Sequence, residues 1–133
     1  MKGYIFQIED ATRDNQHYRR VLFTAKHSQL VLMNLKPGEE IGEEVHGMDQ
    51  FIRFEEGEGT VVLDGEKHAV SDGFAVVIPA GTRHNVVNSG KTAALKLYSL
   101  YSPPEHKDGI IHKTKQEADA DHDHHFDGRT SMK

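Results

Sequence analysis

Cysteine and tryptophan are both absent from the 133 residues, proline occurs 4 times, and acidic residues outnumber basic ones. Without cysteine there is no disulfide framework, no thiolate nucleophile and no sulfur-ligated zinc or iron–sulfur site, so any metal is held by nitrogen and oxygen. Lys+Arg 16 against Asp+Glu 21 leaves a net charge of −5. That balance offers a basic face neither to a phosphate backbone nor to an anionic lipid surface, so no nucleic-acid and no membrane partner is expected. No stretch approaches the roughly 20 apolar residues of a membrane span. The opening MKGYIFQIED lacks the apolar core of a signal peptide, and a cytoplasmic location is expected. A chain of this length has room for one core. What it has in excess is histidine, 10 residues, and where these fall decides the argument.

Short runs rich in Val, Ile, Leu, Phe and Tyr occupy residues 21–24, 29–35, 51–54, 60–63, 67–70, 74–78, 85–87 and 94–101. Turn signals separate them, among them Pro37-Gly38, Asp64-Gly65, Asp72-Gly73, Pro79-Ala80-Gly81 and Ser89-Gly90. Strands at such spacing, with no helical pattern between them, predict an all-β antiparallel sandwich or barrel. Asp64-Gly65 predicts a type I′ hairpin, whose two central residues both need positive φ. Each half opens with a Gly-rich turn and carries a His soon after, as a duplicated Greek-key barrel would. Residues 1–112 are expected to form the barrel and 113–133 a polar tail, with a short helix over 113–120 and a mobile segment over 121–133.

Gly73, Pro79, Gly81, His84 and Asn88 stand with five, one, two and three residues between them. A chance match of all five is rare, roughly one in ten thousand for a chain of this size. Pro79 and Gly81 turn the chain between two strands, which fixes the phase of His84 and aims its imidazole to one face.

This run resembles the second motif of the cupin superfamily, and the first motif is found upstream in altered form. Gly38, His46 and Gly57 keep its register, while Glu44 stands where that motif has its first His and Gln50 where it has Glu. The run from Tyr101 through Ser102-Pro103-Pro104-Glu105-His106 and the segment Glu43 to Phe51 are similar to a group of small single-domain bacterial cupins. The resemblance implies a double-stranded β-helix, or jelly-roll, barrel. It also implies one divalent metal ion held by Glu44, His46, Gln50 and His84, with Zn, Fe, Mn, Ni and Co all compatible with such nitrogen and oxygen donors. A degenerate site with merely hydrogen-bonded histidines is the competing reading. Burying Glu44 unpaired would be costly, and a cation is the evident compensation.

Parity adds detail. If Gln50 points inward, Ile52 and Phe54 do too, and Phe51 and Arg53 turn outward. In the last strand Leu95, Leu97, Ser99 and Tyr101 share one face, and which face lies inside is left open by the pattern. His17, His27 and His68 lack partners at metal spacing. His122, His124 and His125, interleaved with Asp121, Asp123 and Asp127, read as a solvated tail, with weak metal chelation or docking over the barrel mouth as alternatives. The function expected is that of a metal-dependent, isomerase-like enzyme on a small polar substrate such as a sugar or sugar acid, with Glu44 as the catalytic carboxylate. An Fe(II)-dependent dioxygenase or oxidase, or a non-catalytic ligand-binding or sensor barrel, are the alternatives. The resemblance also implies a homodimer, with residues 21–35 apolar enough to serve as its interface.

Overall fold

Asp64 and Gly65 take φ values of 48° and 82°, the two left-handed residues that a type I′ turn requires. In the computed structural model, which describes residues 3–132, this turn joins β4 (Glu58–Leu63) to β5 (Glu66–Ser71), from Leu63 opposite Glu66 to Glu58 opposite Ser71. The other edge of β4 takes up β7 (His84–Val87), giving a three-stranded sheet in the order β5-β4-β7. Residues 1 and 2 of the expected barrel and residue 133 of the expected tail lie outside the described residues.

The larger sheet contains β1 (Arg19–Thr24), β2 (Gln29–Leu35), β3 (Asp49–Glu56), β6 (Ala75–Ile78), β8 (Leu95–Ser102) and β9 (Ile111–His112). Its order is β6-β3-β8-β2-β1-β9, antiparallel throughout. Strands distant in sequence are neighbours, which makes the protein the expected all-β jelly-roll barrel. Val31, Met33, Leu35, Ile52, Phe54, Val61, Ile78, Leu95 and Leu97 have no solvent exposure and fill the space between the sheets. The parity argument for β3 holds: Gln50, Ile52 and Phe54 are buried while Phe51 and Arg53 are half-buried. A one-residue slip would expose Ile52 and Phe54 at about 1.5–3 kcal/mol each and drive Arg53 inward, so the register has one solution. On β8 it is Leu95, Leu97, Ser99 and Tyr101 that face inward.

Helix α1 (Ile8–Asp14) precedes the barrel and was not expected. At seven residues it is too short to show an apolar period. Its ends are set by Gln7, whose Oε1 accepts from the Glu9 N–H at 3.0 Å, and by acids in the first turn. Helix α2 (Lys115–Ala120) falls within the expected 113–120, capped by Thr114, whose Oγ1 accepts from the Glu117 N–H at 3.1 Å. No helix among the described residues is long and apolar enough to cross a membrane.

Beyond α2 the chain lies against the barrel rather than extending away from it. The N–H of Lys107 donates to the His124 carbonyl at 2.7 Å, that of Phe126 to the Glu105 carbonyl at 2.9 Å, and that of Ser131 to the Thr24 carbonyl at 2.8 Å. His106 and His125 form an antiparallel bridge. Backbone bonds to the loop after β8 and to the end of β1, rather than apolar burial, hold this segment, and a reading based on apolar content does not register them.

Candidate metal centre

Glu44 and His84 face each other as a bridge pair: the Glu44 N–H donates to the His84 carbonyl at 2.9 Å and the His84 N–H to the Glu44 carbonyl at 3.0 Å. Paired residues of antiparallel chains send their side chains to one side. A residue of the first motif is thereby placed next to a residue of the second. His46 lies two positions after Glu44, on the same side by extended-chain parity. Its ring centroid is 4.8 Å from that of His84. Glu44, His46 and His84 each offer a ligand atom, and all these atoms lie within 4.8 Å of one another.

The backbone settles which nitrogens point at this spot. His46 Nδ1 is 3.0 Å from the Met48 carbonyl and His84 Nδ1 is 2.8 Å from the Thr82 carbonyl. A carbonyl only accepts, so each Nδ1 carries the proton, and in the neutral ring each Nε2 presents a lone pair. This is how metal-binding imidazoles are oriented by their outer partners. Gln50 supplies a fourth group. Its Nε2 donates to Ser99 Oγ at 3.0 Å and to the Tyr101 hydroxyl at 3.2 Å, which turns Oε1 toward His46 Nε2 at 3.2 Å. Two lone pairs at that separation need a cation or an additional proton between them. A carboxylate, two imidazole nitrogens and an amide oxygen suit a first-row divalent ion, so the residues fit the metal that the resemblance implies. The four candidates from the sequence thus come together, Gln50 through its contact with His46.

The group opens on a cavity of about 560 Å³ that is also lined by Tyr18, Arg19, Glu105 and His106, which the sequence did not single out as site residues, and by His122, His124 and His125, as the alternative of the C-terminal segment docking over the barrel mouth expects. Glu105 and His106 follow the proline pair that ends β8, and no local pattern marks them. Burial raises the Glu105 carboxyl above its ordinary range, and the Glu44 charge adds to this, while the His46 charge opposes it. Glu105 Oε1 is 3.4 Å from His125 Nδ1, and its Oε2 is buried with no partner. Burial raises the Tyr101 phenol as well, with the Glu44 charge the next contribution. His106 is pushed down to about 2, first by burial and then by the Arg19, His124, His112 and His125 charges. Its Nδ1 is 3.1 Å from His124 Nδ1, and its Nε2 has no partner. His27 and His68 are exposed and His17 is half-buried, none of them within the metal group.

Comparison with known proteins gives one consistent result. The Cupin_2 family, a cupin domain, matches residues 31–101. The chain is 46 % identical over 129 residues to the uncharacterised protein YrkC of Bacillus subtilis (strain 168), across 92 % of this chain and 69 % of that protein. It is similar to the crystal structure of BH2720 from Bacillus halodurans, with a TM-score of 0.87 and 44 % identity over 90 % of this chain and 96 % of that one. It is also similar to the structure of KdgF from Halomonas sp., with a TM-score of 0.60 and 27 % identity over 64 % of this chain and 76 % of that one.

Proposed function

This chain belongs to the cupin family, and from that premise we propose that it is a metal-dependent enzyme moving a proton on a small polar substrate, such as a sugar or sugar acid, held in the cavity of about 560 Å³. The observation that carries the reading is the convergence of two Nε2 lone pairs and the Glu44 carboxylate within 4.8 Å at the edge of that cavity. One divalent ion would be held by Glu44, His46 and His84, with the Gln50 amide oxygen beside them. Such an ion supplies Lewis acidity, polarising a carbonyl or hydroxyl so that a neighbouring C–H is more easily deprotonated.

The chain's own residues supply the rest. Ser99 and Tyr101 lock the Gln50 amide, so the oxygen faces the site without reorganisation. Glu44 is the carboxylate nearest the histidine pair, and it combines ligation with proton acceptance. Glu105 holds a proton at Oε2 over a wider pH range than an exposed carboxyl would, because burial disfavours its charge. One carboxyl that accepts and one that retains a proton, on the two walls of one cavity, are the pair that proton transfer between carbons needs.

Metal analysis of protein prepared without a histidine tag tests the first half of the reading. Close to one equivalent of divalent metal per chain is expected, lost in His84→Ala; absence of metal, or metal indifferent to the substitution, would overturn it. The second half is read by proton NMR in D₂O with a panel of aldoses, ketoses and sugar acids. Deuterium entering a carbon next to a carbonyl is expected. Oxygen consumption by the iron form in place of exchange would transfer the assignment to the dioxygenase class.

A further inference from the structure

Four of the five acidic groups lining the cavity have a contact other than Arg19, two of them with a lysine or arginine and two with a histidine ring. Glu43 lies 3.7 Å from Arg83, Asp119 3.4 Å from Lys115, Asp121 2.9 Å from His112 and Glu105 3.4 Å from His125. Glu44 belongs to the metal group. The cation of the cavity is not matched. Arg19, on β1, is the one lysine or arginine among the described lining residues, and it is 7 % exposed. Among the described residues no carboxylate lies within ion-pair distance of it, and its buried Nε–H has no partner.

Among the described residues its one side-chain hydrogen bond is to a neutral group, and its guanidinium also lies 5.4 Å from the centre of the Tyr18 ring, a contact that brings no counter-charge. Arg19 Nη1 is 3.1 Å from His112 Nδ1, and His112 Nε2 is 2.9 Å from Asp121 Oδ2. A guanidinium only donates, so His112 Nδ1 accepts; the ring proton then sits on Nε2 and is donated to Asp121. Asp121 therefore positions the guanidinium through the imidazole without neutralising it at contact. A buried cation left unpaired is costly unless something else brings the negative charge. The guanidinium fork is shaped for a planar carboxylate.

We propose that Arg19 is the carboxylate-recognition end of the cavity. The ligand is a small hydroxy acid, its carboxylate on Arg19 and its hydroxyl-bearing carbons directed to the wall of Glu44, His46 and His84. The inference takes the cavity from the functional reading above and narrows its substrates to acids, while the recognition itself rests on Arg19 rather than on the metal.

Calorimetric titration of metal-loaded protein with three matched pairs tests it: glycolate against ethylene glycol, D-glycerate against glycerol, and D-gluconate against D-sorbitol. At least one acid should bind about tenfold or more tighter than its alcohol. Arg19→Gln should remove that preference, whereas Arg20→Gln, which deletes the same charge from the exposed neighbouring residue, should leave it. If Arg19→Gln does not fold, judged by its melting curve, Arg19→Lys gives the reading. It keeps the charge without the fork and should still weaken the acid by about threefold or more relative to wild type. Three acids that bind no better than their alcohols, or an acid preference untouched by the Arg19 substitutions, would overturn the proposal. An Arg19-dependent preference in protein that takes up no metal when a divalent ion is supplied would sink the metal reading and leave this one standing. Full metal occupancy with no acid preference would do the reverse.

Discussion

His46 and His84 each spend Nδ1 on a backbone carbonyl, that of Met48 at 3.0 Å and that of Thr82 at 2.8 Å, and leave Nε2 for something outside the protein. Across the cavity the same residue type is used the opposite way. His112 is held between Arg19 and Asp121 at 3.1 and 2.9 Å, with both ring nitrogens taken by side chains, while His106 meets His124 through Nδ1 at 3.1 Å and keeps its Nε2 without a partner. A neutral imidazole has one donor and one acceptor. When a carbonyl takes the donor, the acceptor is exported to a ligand; when side chains of the same protein take both, the ring becomes mortar. Histidine count therefore says little about metal capacity, and the partner of Nδ1 says a good deal.

Removing the histidines from each side in turn breaks this comparison most directly. His46→Ala and His84→Ala are each expected to abolish metal uptake, while His124→Ala retains full occupancy in elemental analysis of untagged protein. Equal loss from both sides would mean that the two walls share the ion.

A smaller effect is expected from ending the chain after Ala120. The segment lost makes several backbone and side-chain hydrogen bonds to the barrel, and at about 1 kcal/mol net each the loss should be about 2–4 kcal/mol in urea unfolding. Metal occupancy should be unchanged, because no residue of the metal group lies in that segment.

Acid should separate the two sides next. His106 is pushed from 6.5 down to about 2 in the fold, so below about pH 6.5 the unfolded chain takes up a proton that the folded one refuses. Its contribution to stability is complete above that pH and is lost progressively as pH falls toward 2. Between pH 7 and pH 5 the loss is about 2 kcal/mol. Urea midpoints measured on wild type and His106→Gln across that range should diverge by this amount, and parallel curves would refute the assignment. The smallest effect is at the cap of α2. Thr114→Ala should cost about 1 kcal/mol, seen as faster amide exchange in the C-terminal segment with the barrel amides unchanged.

Much of the barrel could be read locally. All eight apolar runs are strands, Asp64-Gly65 is the type I′ turn, and the inward parity of Gln50, Ile52 and Phe54 holds, because each depends on neighbours a few residues away. Glu44, His46, Gln50 and His84 were singled out by the resemblance to the cupin motifs, and turn and strand phase account only for the direction of His84. Arg19 was not, because its meaning depends on His112, 93 residues further on, and on a strand pair β1–β9 only two residues long. Glu105 was missed because a carboxyl after a proline pair shows no sign of being buried. For the C-terminal segment the alternative of docking over the barrel mouth, rather than the solvated tail, matches the structure, and anchoring by backbone hydrogen bonds leaves no mark in composition.

By itself, the sequence determined the strand inventory and the hairpin, consequences of alternation and of φ preferences at turns, while the candidate donor set came from a motif resemblance. Only the tertiary structure decided that Glu44 sits opposite His84, that a guanidinium without a counter-charge shares their cavity, and that the histidine-rich end of the chain closes one of its walls. Alternation assigns a side chain to a face, but which faces meet depends on pairings between residues far apart in the chain, and the cost of burying a charge is set only once those faces have met.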